Sequence, residues 1–229
     1  MLNRYFLFFV LLLSCFGKCL NAQVPNFGTP CGDQDLYGYS SVKIRANAEK
    51  NGMSDWTTYS TLQYGISDYL AVGADLSTGG GNANIGYTIR TGIKTCQWFK
   101  IGAQFTPSFN LSDKHKFSYM TYALYMNGDI SRDGKFFWVT DTWLEQDRNG
   151  LNSADQWSYL GYTFSLPGNG NSITPMGGVI HSWKFDRDPD LSLGCYFTHK
   201  NISLYAWAND LVTDHPRFVF AIEFKFSNK

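Results

Sequence analysis

Apolar and polar residues alternate at every second position along most of the chain. The segment 217–226 shows the alternation best, with five large apolar residues on one side of the chain and three charged residues on the other. The apolar set is Phe218, Phe220, Ile222, Phe224 and Phe226, and the opposite set is Arg217, Val219, Ala221, Glu223 and Lys225. Because successive side chains of a strand point to opposite faces, this segment predicts a strand with one apolar face.

The same pattern recurs between Gly, Asn, Asp, Ser and Pro residues that interrupt it, and it predicts twelve strands. Their predicted bounds are 36–48, 56–65, 69–78, 83–94, 98–109, 117–130, 135–145, 156–166, 176–185, 190–198, 200–208 and 217–226. Most have the roughly ten residues that a tilted strand needs to cross a bilayer, whereas ordinary strands average about five or six. The fold class that follows is all-β.

The connections between these strands fall into two kinds. Those at 65–68, 95–97 and 131–134 and the one near His199 are tight, whereas those at 49–55, 110–116, 146–155, 185–189 and 209–216 are longer and polar. The links at 79–82 and 167–175 depart from this rule. Short turns at one end and longer loops at the other are typical of transmembrane barrels. Aromatic residues flank the tight turns, as at a headgroup boundary: Tyr64, Tyr69, Trp98, Phe99, Phe136 and Trp138, with Phe226 near the end of the chain.

The first 22 residues are typical of an export signal, with Arg4 before the apolar run 5–13 and a small residue, Ala22, at the expected cleavage point. A second interpretation treats residues 12–15 as a lipoprotein box, which would leave Cys15 lipidated. No later apolar stretch is long enough for a membrane helix. The chain is therefore predicted to be exported, with a periplasmic segment at 23–35 and a closed antiparallel transmembrane β-barrel of about twelve strands at 36–229.

Two segments resemble parts of known proteins. The strand 217–226 resembles the C-terminal insertion signal of Gram-negative outer-membrane proteins, although Ser227, Asn228 and Lys229 follow its last Phe. The run 62–76 is similar to the strand–turn–strand of outer-membrane barrels, including those of the phenol-degradation (MetA) pathway. The resemblance implies a barrel in the bacterial outer membrane, in contact with its lipid. It implies no catalytic motif.

Charge and alternation together indicate what the barrel would enclose. Nineteen basic and nineteen acidic residues give no net charge, which argues against a nucleic-acid partner. If the apolar faces point to lipid, the polar faces line the lumen. The candidate lumen-binding residues are Lys43, Arg45, Arg90, Lys100, Asp141, Trp143, Glu145, Trp157, Tyr159, Tyr205, Trp207 and Glu223. The other residues expected to point inward are Tyr37, Tyr39, Tyr59, Asp75, Lys94, Tyr119, Tyr125, Tyr196 and Lys225.

Three functions are compatible with such a lumen. Twelve strands lie between filled eight-stranded barrels and open sixteen-stranded porins, so the first expectation is a narrow channel or transporter for small solutes. The alternative is a structural or surface-interaction barrel with a filled lumen. The third is an outer-membrane lipid hydrolase, which the phospholipase barrels exemplify with a His and a Ser two apart on one strand. His181 and Ser182 are adjacent here and would face opposite ways, so no catalytic residue is assigned.

No cofactor or metal site is predicted. No Cys or His pair has the spacing of metal ligands, and Asp186, Asp188 and Asp190 are interpreted as a solvated loop in preference to a calcium site. Three cysteines follow Ala22. We expect Cys31 and Cys96 to lie closer to each other than to Cys195, and a disulfide between the first two is a hypothesis.

Overall fold

The computed structural model describes residues 34–47, 52–79, 81–168, 170–185, 188–213 and 216–226, and it leaves undescribed the side chains of 45–47, 52–55 and 185. The predicted export signal, Cys15 and Cys31 lie outside the described residues, and so does the hypothetical disulfide between Cys31 and Cys96.

The described chain is almost entirely β-structure, and its thirteen strands form one antiparallel sheet. Their bounds are β1 Leu36–Asn47, β2 Gly52–Ser67, β3 Leu70–Gly79, β4 Asn82–Cys96, β5 Phe99–Asn110, β6 Phe117–Asp129, β7 Phe136–Asp147, β8 Gly150–Tyr162, β9 Phe164–Ser165, β10 Asn171–Ser182, β11 Asp190–His199, β12 Ile202–Asn209 and β13 Arg217–Phe226. A 3-10 turn spans Trp183–Phe185. Among the described residues there is no helix with the length and apolarity of a membrane span.

The sheet closes on itself. Consecutive strands pair from β1 to β8 and from β10 to β13, β10 also pairs with β8, and β13 pairs with β1 from Leu36↔Phe226 to Arg45↔Arg217. The two-residue β9 lies in line with β8, and both pair with β10, so they form one position in the ring. The ring therefore has twelve positions, which confirms the predicted closed antiparallel barrel of about twelve strands.

The predicted strand boundaries were wrong at three connections. β2 begins at Gly52, within the predicted loop 49–55. β7 and β8 replace most of the predicted loop 146–155, leaving Arg148 and Asn149 as a two-residue turn. β10 begins at Asn171, within the predicted link 167–175. At the start of β8, polar residues occupy both faces, so the two-residue period that marks a strand is lost there.

The barrel nevertheless has two distinct ends. We define the turn end by the start of β1, the end of β13 and the connections after β2, β4, β6, β9 and β11, and the loop end by the connections after β1, β3, β5, β7, β10 and β12. The segments 111–116, 183–189 and 210–216 are the longer connections at the loop end. The contrast in length between the two ends is smaller than predicted.

Two prolines interrupt the hydrogen-bonded ladders without changing the register. Pro175 of β10 pairs with Cys195, but the pairing of β10 with its other neighbour stops at Met176↔Gly161 and resumes at Ile173↔Phe164. The pairing of β4 with β5 has a similar gap around Pro107. Proline has no backbone N–H to donate to a ladder, which explains why the strand opposite Pro175 is divided into β8 and β9.

Three aromatic rings lie flat over glycines on the neighbouring strand. A β-carbon at Gly194 would lie 2.2 Å from the ring of Trp207, its directly paired residue. The same relation joins Gly161 to Phe137 inside the barrel and Gly38 to Phe224 outside it. Glycine has no side chain to collide with such a ring, and an aromatic side chain covering a cross-strand glycine stabilises a strongly curved sheet.

The two faces of the barrel differ as the alternation predicted. Large apolar side chains are exposed on the outer face along most of the strands, among them Leu62, Val72, Ile89, Phe105, Leu124, Leu144, Leu160, Val179, Leu193, Leu204, Phe220 and Ile222. Buried polar residues of the inner face include Thr61, Gln63, Asp75, Thr88, Arg90, Gln104 and Glu223. The barrel thus encloses its polar face and presents its apolar face to the surroundings.

Candidate functional site: the barrel lumen

The inner surface has two chemically different walls. The aromatic wall comes from β7, β8 and β10–β13 and consists of Phe137, Val139, Tyr159, Met176, Ile180, Tyr196, Trp207 and Val219, with Trp157 and Tyr205 packed against them. The polar wall comes from β1–β6 and includes Ser41, Thr61, Gln63, Asp75, Thr88, Arg90, Gln104, Thr106, Ser108 and Asn127. These two sets of strands occupy opposite halves of the ring. The strands of the aromatic wall also contribute buried polar residues, namely Ser172, Thr174, Asp190, Ser192, Thr198, Ser203, Asn209 and Glu223. Large apolar side chains are therefore concentrated in one half of the lumen, whereas hydrogen-bonding groups line both halves.

The aromatic wall is a continuous stack of rings. The centroids of Tyr159 and Trp207 are 4.5 Å apart, and those of Tyr196 and Tyr205 are 4.4 Å apart. Tyr205 also stacks on Tyr39 of β1 at 5.8 Å, which extends the stack to the edge of the polar wall. Aromatic pairs at these separations are attractive beyond the area they bury. The structure therefore brings together three of the predicted lumen residues, Tyr159, Tyr205 and Trp207.

One contact crosses the lumen. Lys43 on β1 and Trp157 on β8 lie on opposite sides of the ring, yet the Lys43 ammonium is 5.7 Å from the centroid of the Trp157 ring. This is a cation–π distance. The indole N–H of Trp157 is buried and has no hydrogen-bond partner among the described residues. The lumen is narrow at this level, and two predicted residues form the constriction.

Arg90 anchors a second group at the centre of the polar wall. Its guanidinium lies 4.3 Å from the centroid of Tyr125, and the Tyr125 hydroxyl donates a hydrogen bond of 2.9 Å to Gln104 Oε1. The edge of Trp143 meets the same tyrosine ring, with centroids 5.6 Å apart. Asp141 is the direct cross-strand partner of Tyr125. Arg90, Asp141 and Trp143 are thus gathered around one tyrosine that was expected to point inward.

The remaining candidate residues lie towards the two ends of the lumen. Lys100 forms an ion pair of 3.6 Å with Asp129 at the turn end. Glu145 accepts a hydrogen bond of 3.3 Å from Asn152 Nδ2 near the loop end. Glu223 is 3.5 Å from the donating hydroxyl of Tyr37. The candidate residues therefore line the whole length of the lumen and do not form one pocket.

Two aspartates that form ion pairs at the turn end were not predicted from the sequence. Asp35 pairs with Lys225 at 3.0 Å and Asp129 pairs with Lys100, but both aspartates lie at strand ends, where turn residues obscure the alternation. The side chain of Arg45 lies outside the described part of the structure, although its backbone pairs with Arg217.

The histidines of the described chain form no nucleophile–base pair with a serine. His181 points outward and packs edge-on against the Trp183 ring at 4.1 Å, whereas Ser182 points inward and donates a hydrogen bond of 2.6 Å to Asp155 Oδ1. His199 Nδ1 is 2.6 Å from Asn171 Oδ1 in the exposed turn end. The third described histidine, His115, is exposed in the β5–β6 loop. None of the three described histidines is therefore placed to activate a serine.

The described residues contain no cluster of three or more His, Cys, Asp or Glu side chains arranged to hold a metal ion. Asp190 instead accepts backbone N–H bonds from Leu191 and Val212, which ties β11 to the β12–β13 loop. Asp186 lies outside the described residues. Cys96 is exposed, Cys195 is half-buried, and both are free thiols in the described chain.

Comparison with known proteins identifies the architecture. The chain superimposes on the KdgM porin with a TM-score of 0.57 over 82% of this chain and 99% of that chain, at 9% sequence identity. The KdgM porin in complex with disordered oligogalacturonate matches with the same TM-score and coverage at 10% identity. The chain has the fold of an outer-membrane porin. The sequence itself matches no model of a known family and no curated protein.

Proposed function

We propose that this porin-like barrel is a narrow channel in the bacterial outer membrane for small polar solutes. The observation that carries the proposal is a closed sheet whose lumen has a cluster of aromatic side chains in one half and polar side chains all around. Such a lumen offers aromatic surfaces to the apolar face of a solute and hydrogen-bonding groups to its polar atoms.

The outer surface supports insertion into a membrane. A wide exposed apolar surface is unfavourable in water, and a closed barrel leaves no unpaired sheet edge in lipid. Exposed aromatic residues occur at both ends of the barrel, where membrane proteins contact the headgroups. Tyr64, Tyr69 and Trp98 lie at the turn end, and Trp56 and Trp183 lie at the loop end.

The charges of the lumen favour a solute without a large net charge. Basic and acidic residues are interspersed along the inner face, as the ion pairs Lys100–Asp129 and Lys225–Asp35 illustrate. A field of one sign would select ions of the opposite sign, and paired charges create no such field. The similarity of residues 62–76 to barrels of the phenol-degradation pathway stays a prediction.

A second candidate function is a structural or surface-interaction barrel with a filled lumen. The contact of Lys43 with Trp157 favours it, because both side chains occupy the space that a solute must cross. The hydrogen bond of 3.0 Å between Ser77 Oγ on β3 and the Tyr119 hydroxyl on β6 also bridges strands that are not neighbours.

Conductance separates the two candidates. Purified protein in planar bilayers is expected to show discrete single-channel steps, and Trp157→Ala is expected to enlarge them because it removes half of the constriction. Tyr162→Ala, on the outer face of the same strand, is the matched control and should leave the step size unchanged. A protein that inserts but gives no steps, in either the original or the Trp157→Ala form, would establish the filled barrel and refute the channel.

A further inference from the structure

A small cavity adjoins the lumen on the polar wall, towards the loop end. Its volume is about 30 Å³, which is room for about one water molecule or one hydroxyl group. The cavity is lined by Tyr59, Asp75, Ser77, Gly86, Gln104, Thr106, Ser108, Tyr119, Thr121 and Trp143. Only Trp143 contributes a large aromatic surface without an oxygen atom, and nearly all the other residues carry a hydroxyl, carboxylate or amide group.

Gly86 contributes backbone but no side chain to the wall of the cavity. Gly86 on β4 lies between its cross-strand partners Asp75 on β3 and Ser108 on β5. A β-carbon at this position would lie 2.7 Å from Thr106 Cγ2 and 3.1 Å from Ser108 Oγ. Both distances are shorter than ordinary van der Waals contact, so a larger residue would collide with Thr106 and Ser108. The close packing of these two side chains beside Asp75 therefore depends on the glycine.

The hydroxyl and amide groups around the cavity are mostly engaged with one another. Ser77 Oγ bonds to the Tyr119 hydroxyl at 3.0 Å, Gln104 Nε2 donates to Thr106 Oγ1 at 3.1 Å, and Thr106 Oγ1 is 2.9 Å from Thr88 Oγ1. A ligand would have to break these bonds to use those groups.

Asp75 is different. Its side chain is 5% exposed, and Oδ2 accepts a hydrogen bond of 2.7 Å from the Tyr59 hydroxyl. Its other oxygen, Oδ1, is buried and has no hydrogen-bond partner among the described residues. A buried acceptor without a donor costs about 1–3 kcal/mol, and more when the group is charged. The cavity thus provides a strong acceptor and enough space for one O–H group.

We propose that Asp75 and Trp143 form a binding subsite for an uncharged, ring-shaped polyhydroxylated solute, such as a neutral monosaccharide. One hydroxyl of the solute enters the cavity and donates to Asp75 Oδ1, while the apolar face of its ring lies against the Trp143 indole. This inference rests on the proposed channel function and specifies its solute class. Because Asp75 is an anion, it disfavours solutes that carry a carboxylate.

The inference predicts a difference between two sugars that differ by one oxidised carbon. Galactose is expected to bind the purified protein in detergent micelles more tightly than galacturonate, as measured by titration calorimetry and by block of single-channel current. Asp75→Asn should weaken galactose binding about tenfold, equivalent to about 1.4 kcal/mol, and should reduce the preference over galacturonate. The amide can still accept the Tyr59 hydroxyl bond, so the variant is expected to fold.

Two further variants locate the effect. Gly86→Ala should also weaken galactose binding, because its methyl group would collide with Thr106 and Ser108 and displace them from the cavity wall. Asp155→Asn makes the same chemical change at a lumen carboxylate outside the cavity, which accepts a hydrogen bond from Ser182, and it should leave galactose affinity unchanged.

The possible failures are distinguishable. Channels that conduct but bind no galactose, or that lose the same affinity with Asp75→Asn as with Asp155→Asn, would overturn the subsite and leave the channel function standing. Tighter binding of galacturonate than of galactose would overturn it as well. A protein that binds galactose through Asp75 but passes no current would support the subsite and refute the channel.

Discussion

At the scale of single residues, three glycines lie tightly beneath the aromatic rings of their cross-strand partners. Trp207 is buried in the aromatic wall and lies directly over Gly194. An added methyl group would push the indole into the neighbouring tyrosines Tyr159 and Tyr196, whose rings are already in contact with it. The stack of rings and the curvature of the sheet therefore both depend on a glycine at position 194.

Gly194→Ala is accordingly expected to destabilise the barrel by about 1–3 kcal/mol, the usual cost of overpacking. The measurement is the midpoint of urea unfolding in micelles, followed by tryptophan fluorescence. Gly177→Ala on the adjacent strand is the control, because its methyl group would meet only the flexible end of Leu193, at 3.1 Å. Equal midpoints for the two variants would show that the ring over Gly194 can move away freely.

The alternation in the sequence correctly predicted which side chains of a strand point into the barrel. The two-residue period places Lys43, Arg90 and Trp157 on the inner face, and the register of the structure puts them there. The period contains no information on which inner residues meet across the lumen. The contact of Lys43 with Trp157 depends on the diameter of the ring, and the cavity beside Asp75 depends on how side chains from several strands pack together.

At the scale of elements, the turn between β6 and β7 is held by side chains outside the membrane-spanning strands. Asp133 Oδ1 accepts a 2.6 Å hydrogen bond from the Ser131 hydroxyl and one of 3.1 Å from the Lys135 N–H. Ser131 Oγ in turn accepts the N–H of Phe136 at 2.9 Å. The Ser131 hydroxyl, followed by the Lys135 N–H, lowers the pKa of the Asp133 carboxyl below its ordinary value, since both bonds favour the charged form.

The pH dependence of this turn follows from the sign of that shift. A carboxyl with a lower pKa in the folded state stabilises the fold above the unfolded-state pKa and loses this effect as the pH falls through the folded-state pKa. We expect NMR titration to give a pKa for Asp133 below the ordinary aspartate value, and Ser131→Ala to move it upward. A titration unaffected by Ser131→Ala would contradict the assignment of the hydroxyl as the main cause.

Strands were predictable from the sequence to the extent that lipid and lumen impose different residues on their two faces. The alternation is strong in β4, β5 and β13 and predicts them to within a few residues. It fails at the start of β8, where polar residues such as Asn152 and Gln156 share the strand with Ser153 and Asp155. Such a strand end has similar surroundings on both faces, and only hydrogen bonding to its neighbour reveals it.

At the scale of the whole molecule, the barrel has its polar residues inside and its apolar residues outside, the reverse of a water-soluble protein. This arrangement predicts how the barrel responds to a charge on its outer face. Ile89 lies in the middle of β4 with 52% of its surface exposed. Ile89→Lys should destabilise the barrel by about 2–4 kcal/mol in phospholipid vesicles, the cost of a lysine at the bilayer midplane. Urea unfolding of the reconstituted protein measures this cost.

A charge placed elsewhere provides the control for that experiment. Asp113 lies in the exposed β5–β6 loop, where it pairs with Lys116, and Asp113→Lys should alter stability only slightly because surface ion pairs contribute little. If Ile89→Lys were equally harmless, the outer face of β4 would be in contact with water, and the proposed location in a membrane would be wrong.

The ten residue pairs that join β1 to β13 connect the most distant parts of the described chain. During synthesis, one edge of Leu36–Asn47 has no partner until the residues of β13 have been added. Every shorter intermediate therefore has an unpaired strand edge that can pair with another chain. The pairing that closes the barrel therefore forms only after translation. An accessory protein that covered the first strand until then would prevent it from pairing with other chains. A circular permutant would remove that delay. It would join β13 to β1 by a short linker and place the new termini in the Arg148–Asn149 turn, so that β1 and β13 would be synthesised one after the other.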